Sequence, residues 1–332
     1  MAVALSERDV RQLLPMPALI DCMEQALRTF STGQVEQPVR TILRLGEGMA
    51  FFGLMPAFRR DPPALGAKLV TVCGANAARG LPTHLATILL MEPATGELLA
   101  VLDGRYITEA RTAAVSAAAT RALARDDAST LAILGSGVQA RSHLEALALV
   151  RPLLEVRVWS PTPAHRERFV QESGDLVESA SRRTLRVVAA DSAERAVEGA
   201  DLIVTATASA EPVLRGEWVA PGAHICAVGA CRPNMRELDT ALVTRSTVFV
   251  DSRAGALAEA GDIVIPIEEG HYTAERLAGE LGELFAGAVP GRRSRDEVTV
   301  FESLGMAIED VAAADLVYKR AAEVGLGRGL VL

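Results

Sequence analysis

The most informative stretch of the chain reads Thr130-Leu131-Ala132-Ile133-Leu134-Gly135-Ser136-Gly137-Val138-Gln139-Ala140, an apolar run followed by a glycine-rich turn. Helical spacing continues over residues 141–150, so the pattern G-x-G-x-x-A lies between a predicted strand and a predicted helix. In such a turn the glycines permit a tight reversal and a close approach to pyrophosphate, and the helix N-terminus offers N–H groups to phosphate. We therefore predict that a dinucleotide binds the loop residues Gly135, Ser136, Gly137, Val138 and Gln139.

Strand and helix patterns alternate after this turn. The predicted elements are Val156–Trp159, a helix through Phe169, Leu185–Ala189, Ser192–Glu198, Asp201–Thr205, His224–Val228 and Thr247–Val250. This alternation indicates an α/β domain with a doubly wound parallel sheet of the Rossmann type. Ligands bind such sheets at the carboxyl ends of the strands. The further residues predicted to contact the cofactor are Thr205, Ala206, Thr207, Val228, Gly229 and, from a returning segment, Ser303.

The end of the second predicted strand bears on the choice between NAD and NADP. An NAD site usually places an acidic residue about 20 residues beyond the glycines, where it binds the ribose hydroxyls. This strand ends instead with Trp159-Ser160-Pro161-Thr162, and no carboxylate follows it directly. The residues expected to donate to a 2'-phosphate are Ser160, Thr162, His165 and Arg166. We therefore predict NADP(H) as the preferred cofactor, with NAD(H) as the alternative.

The first part of the chain predicts a second domain of α+β type. We predict one long helix over Ser6–Thr32, capped by Ser6 and Asp9. Short strands follow, with a hairpin turn at residues 92–96, and then an Ala-rich helix over Arg105–Ala124. The predicted strands are Arg40–Leu45, Ala50–Met55, Ala64–Val72, Leu85–Met91 and Leu98–Leu102. We expect residues 1–124 and 303–332 to form a substrate-binding and dimerisation domain, and residues 125–302 to form the Rossmann domain.

Composition excludes several classes of protein. With 34 Lys and Arg against 42 Asp and Glu, the 332-residue chain has a formal charge of -8 and no basic run, which argues against a nucleic-acid partner. We predict neither a membrane span nor a signal peptide, and hence a cytoplasmic location. The four cysteines form no CxxC pair and the five histidines no HExxH motif, so we expect reduced thiols and no bound metal.

Several motifs together resemble those of the ornithine cyclodeaminase and mu-crystallin family, over about Gln37 to about Asp310. The matching segments are Gln37–Thr41, Gly66–Lys68, Leu81–His84, Asp103–Ala114, the glycine loop, Val228–Pro233, Val250–Ser252 and Thr299–Gly305. The resemblance implies a homodimer whose substrate domain is completed by the last helix, predicted here at Ser303–Val324. It also implies that Arg40, Lys68, Thr83 and Arg111 bind the α-carboxylate of a small substrate and its neighbouring atoms.

The sequence itself, without the resemblance, is informative to different degrees about Lys68, Arg111 and His84. Lys68 stands between Ala67 and Leu69 in an apolar strand, and a buried lysine needs a reason. Its alternative is an edge position from which the amine reaches water. Arg111 carries no signal of its own, because an arginine on an Ala-rich helix is usually solvated or paired with a nearby acid such as Glu109. For His84 a proton-delivering role and a structural role are equally compatible with the sequence.

The residues after the fifth Rossmann strand distinguish branches of the family. Ornithine cyclodeaminases carry a Gly-Asp-Cys-Pro motif there, whereas this chain has Gly229-Ala230-Cys231-Arg232-Pro233. Cys231 stands at the position of that aspartate, and a neutral thiol cannot act as the same general base. The pattern resembles the mu-crystallin and ketimine reductase branch, for which we predict a catalytic role for Cys231 and substrate binding by Arg232. A packing role for Cys231 is the alternative.

The predicted activity is therefore NAD(P)H-dependent reduction of cyclic ketimine carboxylates, Δ1-pyrroline-2-carboxylate or Δ1-piperideine-2-carboxylate, to L-proline or L-pipecolate. Lys68 or His84 would supply the proton. One alternative is an ornithine cyclodeaminase, which converts L-ornithine to L-proline and ammonia, or a related amino-acid dehydrogenase. Another is an imine reductase acting on an amino-acid conjugate. An alternative of a different class is a non-catalytic protein that binds NADP(H) and a small ligand, like mu-crystallin.

Overall fold

A computed structural model describes residues 2–46, 50–180 and 185–331, with the backbone alone for 174–180. The chain divides into two compact units. Unit 1 comprises Met1–Arg111 and Gly305–Leu332, and unit 2 comprises Thr112–Leu304. The sequence-based limits were Ala124 and Ser303. The first division therefore lies inside the Ala-rich helix rather than after it.

Unit 1 is built on a mostly antiparallel sheet. Its strands are β1 (Ala2–Leu5), β2 (Val35–Glu36), β3 (Thr41–Leu45), β4 (Ala50–Arg59), β5 (Ala64–Cys73), β6 (His84–Met91), β7 (Leu98–Asp103) and β16 (Arg328–Leu330). The strand order is β16-β1-β7-β6-β5-β4-β2, and β3 also pairs with β4. β1 is parallel to β7, and the other neighbours are antiparallel. The predicted antiparallel sheet is therefore present, and β1 and β16 extend it beyond the prediction.

Helices cover the sheet of unit 1. Here the prediction of one helix over Ser6–Thr32 is wrong, because the chain forms α1 (Glu7–Leu13) and α2 (Met16–Ser31). Pro15 lies at the junction in extended backbone, and a proline there cannot donate the N–H that a continuous helix needs. The predicted capping box of Ser6 and Asp9 is confirmed.

The last helix, α11 (Ala307–Val324), contacts α2 and β5 in the same unit. It begins four residues later than the predicted start at Ser303. Gly305 has φ +79°, a left-handed conformation that interrupts a right-handed helix. The helix therefore begins after Gly305, and Glu309 and Asp310 lie in its first turn.

Unit 2 contains an eight-stranded sheet in which every pair of neighbours is parallel. Its strands are β8 (Thr130–Leu134), β9 (Glu155–Trp159), β10 (Arg186–Ala189), β11 (Leu202–Thr205), β12 (His224–Ala227), β13 (Thr247–Val250), β14 (Gly279–Glu280) and β15 (Thr299–Glu302). The strand order is β10-β9-β8-β11-β12-β15-β13-β14. The predicted Rossmann-type sheet is confirmed, but β15 was not predicted as a strand. It inserts between β12 and β13 and carries Glu302 and Ser303 to the carboxyl edge.

The helices after the first three strands of the Rossmann part follow the predicted alternation, and the helices between residues 240 and 285 were not predicted. The helices are α3 (Gly104–Leu123), which begins in unit 1, and α4 (Val138–Val150), α5 (Pro163–Ala180), α6 (Ala193–Val197), α7 (Thr240–Arg245), α8 (Arg253–Glu259), α9 (Gly261–Glu268) and α10 (Leu281–Phe285). Short 3-10 turns lie at Gly74–Arg79, Gly216–Trp218 and Ala274–Arg276. Across the described ranges, none of the helices has the length and apolar character that a membrane span requires.

Candidate active site

Lys68 lies in the middle of the unit 1 sheet. Its strand β5 pairs with β4 on one side and with β6 on the other, where Met55 and Ile88 are its direct neighbours. Only 2% of the residue is exposed. The alternative of an edge lysine reaching water is therefore wrong, and the ammonium group must be balanced inside the protein.

Two carboxylates from the first turn of α11 supply this balance. The Lys68 Nζ atom lies 2.6 Å from Oδ2 of Asp310. Nε of Arg111 lies 3.1 Å from Oδ1 of the same aspartate, and Nη1 of Arg111 lies 2.7 Å from Oε2 of Glu309. All four side chains are almost completely buried. We call Lys68, Arg111, Glu309 and Asp310 the ion cluster.

Arg111 owes its position to a glycine. A Cβ atom at Gly305 would lie 2.3 Å from Nη1 of Arg111 and 2.5 Å from Nη2. The guanidinium group therefore occupies the space that any other residue at this position would fill. Arg111, which carried no signal of its own in the sequence, is buried and pairs with Glu309 and Asp310.

Burial and charge act in opposite directions on the two titrating members of the ion cluster. Burial lowers the pKa of Lys68 to about 8; Asp310 opposes this shift, and the charges of Arg111 and Arg40 add to it. Burial alone would raise the pKa of Asp310, but the charges of Lys68 and Arg111 hold it below its usual value. At neutral pH the pair is therefore ionised.

Two other predicted substrate residues of unit 1, His84 and Arg40, lie close enough to the ion cluster for charges to act between them. His84 begins β6, and burial together with the charges of Lys68 and Arg111 lowers its pKa to about 4. Its imidazole is neutral at pH 7. Arg40 lies near enough for its charge to act on Lys68. Thr83 is exposed beside His84, and its carbonyl accepts a hydrogen bond from the Cys73 N–H.

The charges of this region include a third cation. Arg40 is half-buried, and its charge acts on Lys68, which pairs with Asp310. Charges in a buried setting interact more strongly than charges in water. Cationic side chains in such a setting suit the binding of an anion.

In unit 2 the glycine loop has the geometry that a dinucleotide requires. Gly135 has φ +121°, and a Cβ atom there would lie 2.4 Å from the Ala206 carbonyl oxygen. The space around Gly137 is open. Gly137 is also the N-cap of α4 and has no side chain to satisfy the first N–H groups of the helix, so a phosphate can accept from them.

Polar atoms without partners mark the same loop and the end of β15. Within the described part of the chain, Oε1 of Gln139 and Oγ of Ser303 are buried and have no hydrogen-bond partner. Buried polar groups are normally satisfied. The open loop, the uncapped helix and these atoms fit a bound nicotinamide dinucleotide.

The end of β9 lies beside a second predicted group of cofactor residues. The Ser160 hydroxyl donates to the Thr162 carbonyl at 3.2 Å, and Nη1 of Arg166 donates to the Ser160 carbonyl at 3.3 Å. The Arg166 guanidinium is thus held at the strand end. Asp191, which follows β10, lies 3.9 Å from its other nitrogen.

The remaining predicted residues lie at the carboxyl ends of β11 and β12. Thr205 is fully buried, while Ala206, Thr207 and Gly229 are half-buried. The Val228 N–H donates to the Thr205 carbonyl. In the loop that follows β12, Cys231 donates to the Val228 carbonyl at 3.4 Å. Arg232 is exposed in the same loop.

Sequence reasoning missed the acidic residues of both units. Glu309 and Asp310 complete the ion cluster, and Glu237, Asp262 and Glu302 are fully buried near the cofactor residues of unit 2. Acids on a C-terminal helix resemble ordinary solvated residues until their partners are known. The one signal in the sequence for a buried acid was Glu302, which directly follows Phe301 at the end of an apolar run. The described residues contain no cluster of His, Cys, Asp and Glu suited to a metal ion.

A parallel sheet with a dinucleotide-type glycine turn, in a chain that also buries a cluster of paired cations and carboxylates, is typical of a dinucleotide-dependent enzyme. Comparison with known proteins makes this specific. The profile of the Ornithine cyclodeaminase/mu-crystallin family matches residues 2–325, and the chain belongs to this family. The predicted family is thereby confirmed.

Three relatives illustrate the family. The chain is 44% identical over 319 residues to ketimine reductase mu-crystallin of Mus musculus, which covers 95% of this chain and 96% of that protein. The structure of Thermococcus litoralis Δ1-pyrroline-2-carboxylate reductase with NADH and L-proline has a TM-score of 0.94 at 38% identity, covering 99% of this chain and 100% of that one. An archaeal alanine dehydrogenase dimer with bound NAD has a TM-score of 0.93 at 32% identity, covering 100% and 99%.

Proposed function

We propose that the protein is an NAD(P)H-dependent reductase of cyclic ketimine carboxylates, converting Δ1-pyrroline-2-carboxylate or Δ1-piperideine-2-carboxylate to L-proline or L-pipecolate. The observation that carries this proposal is the buried ion cluster with its Lys68 and Arg111 cations, in a chain that also has a dinucleotide-type turn. The relatives support the reaction class, since they are named ketimine reductase and Δ1-pyrroline-2-carboxylate reductase.

In this proposal the protein's own residues bind and orient the imine. Arg111 and Lys68 hold the substrate carboxylate, with Arg40 and Thr83 beside them, and Glu309 and Asp310 keep both cations in place. The bound cofactor would supply the hydride that adds to the C=N carbon. The imine nitrogen must then carry a proton, so a proton donor is needed near it.

Lys68 is the better candidate for this proton. Its pKa of about 8 lies close to neutral pH, which suits a general acid, whereas His84 with a pKa of about 4 is already deprotonated there. His84 still has an N–H that can donate a hydrogen bond to a ligand. We therefore assign proton delivery to Lys68 and orientation to His84.

We propose NADP(H) as the preferred cofactor, with NAD(H) also accepted. The Arg166 guanidinium at the end of β9 supports this preference, because arginine binds phosphate through paired hydrogen bonds. The test measures the dissociation constants of NADPH and NADH for wild type and for Arg166→Leu. Arg168→Leu is the control, because it changes an exposed arginine on the same helix. We expect Arg166→Leu to weaken NADPH binding about tenfold and to leave NADH unchanged. Tighter NADH binding by wild type would reverse the preference.

The reaction itself is tested by NADPH and NADH oxidation with both cyclic imines, beside an ammonia-release assay with L-ornithine. Rapid oxidation with either imine is the expected result. Ammonia release without net cofactor oxidation would favour a cyclodeaminase, a reading that Cys231 argues against because its thiol replaces the motif's aspartate. Oxidation with pyruvate and ammonia alone would indicate an amino-acid dehydrogenase. Tight cofactor binding without any turnover would indicate a binding protein.

We further propose that Cys231 and Arg232 contribute to substrate handling, and that the protein is a homodimer. Unit 1 exposes several large apolar side chains in the strands of its sheet and in the adjoining loops, which supports pairing with a second copy. They are Val39, Ile42, Leu43, Leu45, Leu54, Leu81 and Leu85. Light scattering should give the mass of a dimer for wild type and a lower mass for Leu43→Asp; a monomeric wild type would refute the proposal. The cytoplasmic location stays a prediction.

A further inference from the structure

Three fully buried carboxylates of unit 2, Glu237, Asp262 and Glu302, lie close enough to influence one another's charge, although none of them was predicted to have a function. We call them the carboxylate network. A buried carboxylate is costly unless donors surround it. The three members differ in this respect, and the difference shows what each one does.

Glu237 is saturated with hydrogen-bond donors. Its Oε2 atom accepts from the Thr205 hydroxyl at 2.8 Å and from the Gly229 N–H at 2.7 Å. Its Oε1 atom accepts from the N–H and the hydroxyl of Thr207 at 2.6 and 2.7 Å. One side chain thereby ties the carboxyl end of β11 to the carboxyl end of β12. These are the residues at which sequence and fold both predict the cofactor.

The Glu237 carboxylate can approach the loop after β12 only because residue 229 is a glycine. A Cβ atom at Gly229 would lie 2.2 Å from the Thr207 carbonyl oxygen and 2.5 Å from Cδ of Glu237. The two strand ends are therefore held together more tightly than any residue with a side chain would allow. This explains the glycine in the Val228–Pro233 segment by packing rather than by flexibility.

Asp262 holds Glu237 in turn. Its Oδ1 atom accepts from the backbone N–H groups of Glu237 and Leu238, both at 2.8 Å. Its Oδ2 atom has no hydrogen-bond partner within the described residues. The first turn of α9 thus fixes the backbone from which Glu237 reaches the strand ends.

Glu302 is the member without donors. Both of its carboxylate oxygens lack a hydrogen-bond partner in the described chain, and its strand neighbours are Ala227 and Val250. The groups that act on its charge are Asp262, Glu237, Cys231 and Asp251, all of them acidic. An ionised carboxylate cannot persist there, so Glu302 is a neutral carboxylic acid.

We propose that Glu237 is a positioning residue for the cofactor, and that it fixes the ends of β11 and β12 against which the nicotinamide half of the dinucleotide binds. Glu302 has no donors and holds a proton, whereas the hydrogen bonds from Thr205, Thr207 and Gly229 lower the pKa of Glu237 against the burial that raises it. This inference rests on the proposed function, because it assumes a nicotinamide dinucleotide as the ligand.

The first test uses the protein without cofactor. Amide hydrogen exchange at Thr207 and Gly229 should be slow in wild type, since both N–H groups donate to Glu237. In Glu237→Gln the new amide group has one acceptor oxygen and two donors, so at least one of these bonds is lost. We expect exchange at these two amides to be about tenfold faster. Unchanged protection would overturn the inference.

The second test measures the dissociation constants of NADPH and NADH by fluorescence titration. For Glu237→Gln we expect binding about tenfold weaker. Asp201→Asn is the matched control: Asp201 accepts from the Ser129 and Thr130 N–H groups at the opposite, amino end of the sheet. It should lower the melting temperature and leave cofactor affinity unchanged. Equal weakening by both variants would reduce Glu237 to a general structural role and overturn the proposal.

Thr205→Val provides the answer if Glu237→Gln does not fold. This change keeps the shape of a fully buried side chain and removes one donor to Glu237. Affinity about threefold weaker supports the proposal, and an unchanged affinity refutes it. If wild type binds neither NADPH nor NADH, the proposed function fails, while the exchange result still decides whether Glu237 holds the strand ends.

Discussion

Each unit buries a group of acidic side chains beside its predicted ligand residues, and the two groups balance their charge in opposite ways. In the ion cluster of unit 1, Glu309 and Asp310 pair with Lys68 and Arg111, and the pKa of Asp310 falls. In the carboxylate network of unit 2 no cation is among the groups that act on Glu302, and burial raises its pKa well above the usual value. Burial raises the pKa of Asp262 to about 8.

The difference teaches how one chain prepares two kinds of binding. Unit 1 keeps paired charges buried, and its Lys68 and Arg111 cations suit recognition of an anion. In unit 2 the oxygens of Glu237 and Asp262 accept hydrogen bonds from backbone N–H groups, which suits a rigid edge for a cofactor, and Glu302 is protonated. The predictions below change residues of one unit at a time, and they are given from the largest expected effect to the smallest.

The largest effect is expected from Lys68→Met. It removes the cation that faces Asp310 and the substrate carboxylate, so kcat/KM for the imine should fall roughly a thousandfold. Lys319→Met is the matched control, because Lys319 is the chain's only other lysine and forms an exposed pair with Asp315. The double variant Lys68→Met with Asp310→Asn should regain thermal stability without regaining activity. Activity retained in Lys68→Met would remove Lys68 from the mechanism.

Gly305→Ala should have the next largest effect. The new Cβ atom would overlap the Arg111 guanidinium, at 2.3 Å from Nη1, in a backbone with φ +79°. We expect KM for the imine to rise about thirtyfold and stability to fall by about 1–3 kcal/mol. Gly325→Ala is the control, since Gly325 has φ +66° and no atom within 4 Å of its Cβ position. It should lose stability alone; a similar rise in KM for both variants would contradict the role assigned to Gly305.

The pH dependence of kcat/KM should report Lys68. Its folded pKa of about 8 lies below the ordinary value of 10.5, so the ammonium form is lost as pH rises through about 8. Above that pH the rate should fall about tenfold per unit. Lys68→Arg keeps its charge at high pH and should abolish the fall, whatever its absolute rate. A fall that persists unchanged in Lys68→Arg would assign the titration to the substrate or to another group.

Glu302→Gln should give the smallest effect and the opposite sign. Glu302 and Asp262 have raised pKa values, so their stabilising contribution is present below about pH 4 and is lost as pH rises towards 8. Glu302→Gln should therefore melt a few degrees above wild type near pH 8, with the difference vanishing near pH 5. His143 and His224 have lowered pKa values of about 4 and about 3 and reduce stability only below 6.5. These histidines therefore do not affect the comparison near pH 8. An E302Q variant that is less stable than wild type near pH 8 would contradict a neutral Glu302.

Local patterns were sufficient for much of this molecule. The strand, glycine turn and helix at residues 130–150 are determined by spacing within a short segment, and the predicted Rossmann sheet is confirmed there. The apolar strand around Lys68 likewise indicated a buried cation before its partners were known. Pro15 was visible in the sequence, but helical spacing on both sides of it concealed the break between α1 and α2.

What the sequence by itself determined is therefore the class of each segment and the presence of unusual residues such as Lys68, Gly135 and Cys231. Only the tertiary structure decided which charges meet. Asp310 is 242 positions from Lys68 in the chain. Glu237 accepts hydrogen bonds from the ends of two different strands, at Thr205 of β11 and at Gly229 after β12. Periodicity reports whether a residue faces the core, but ion pairs and shared protons depend on distances between segments that only packing brings together.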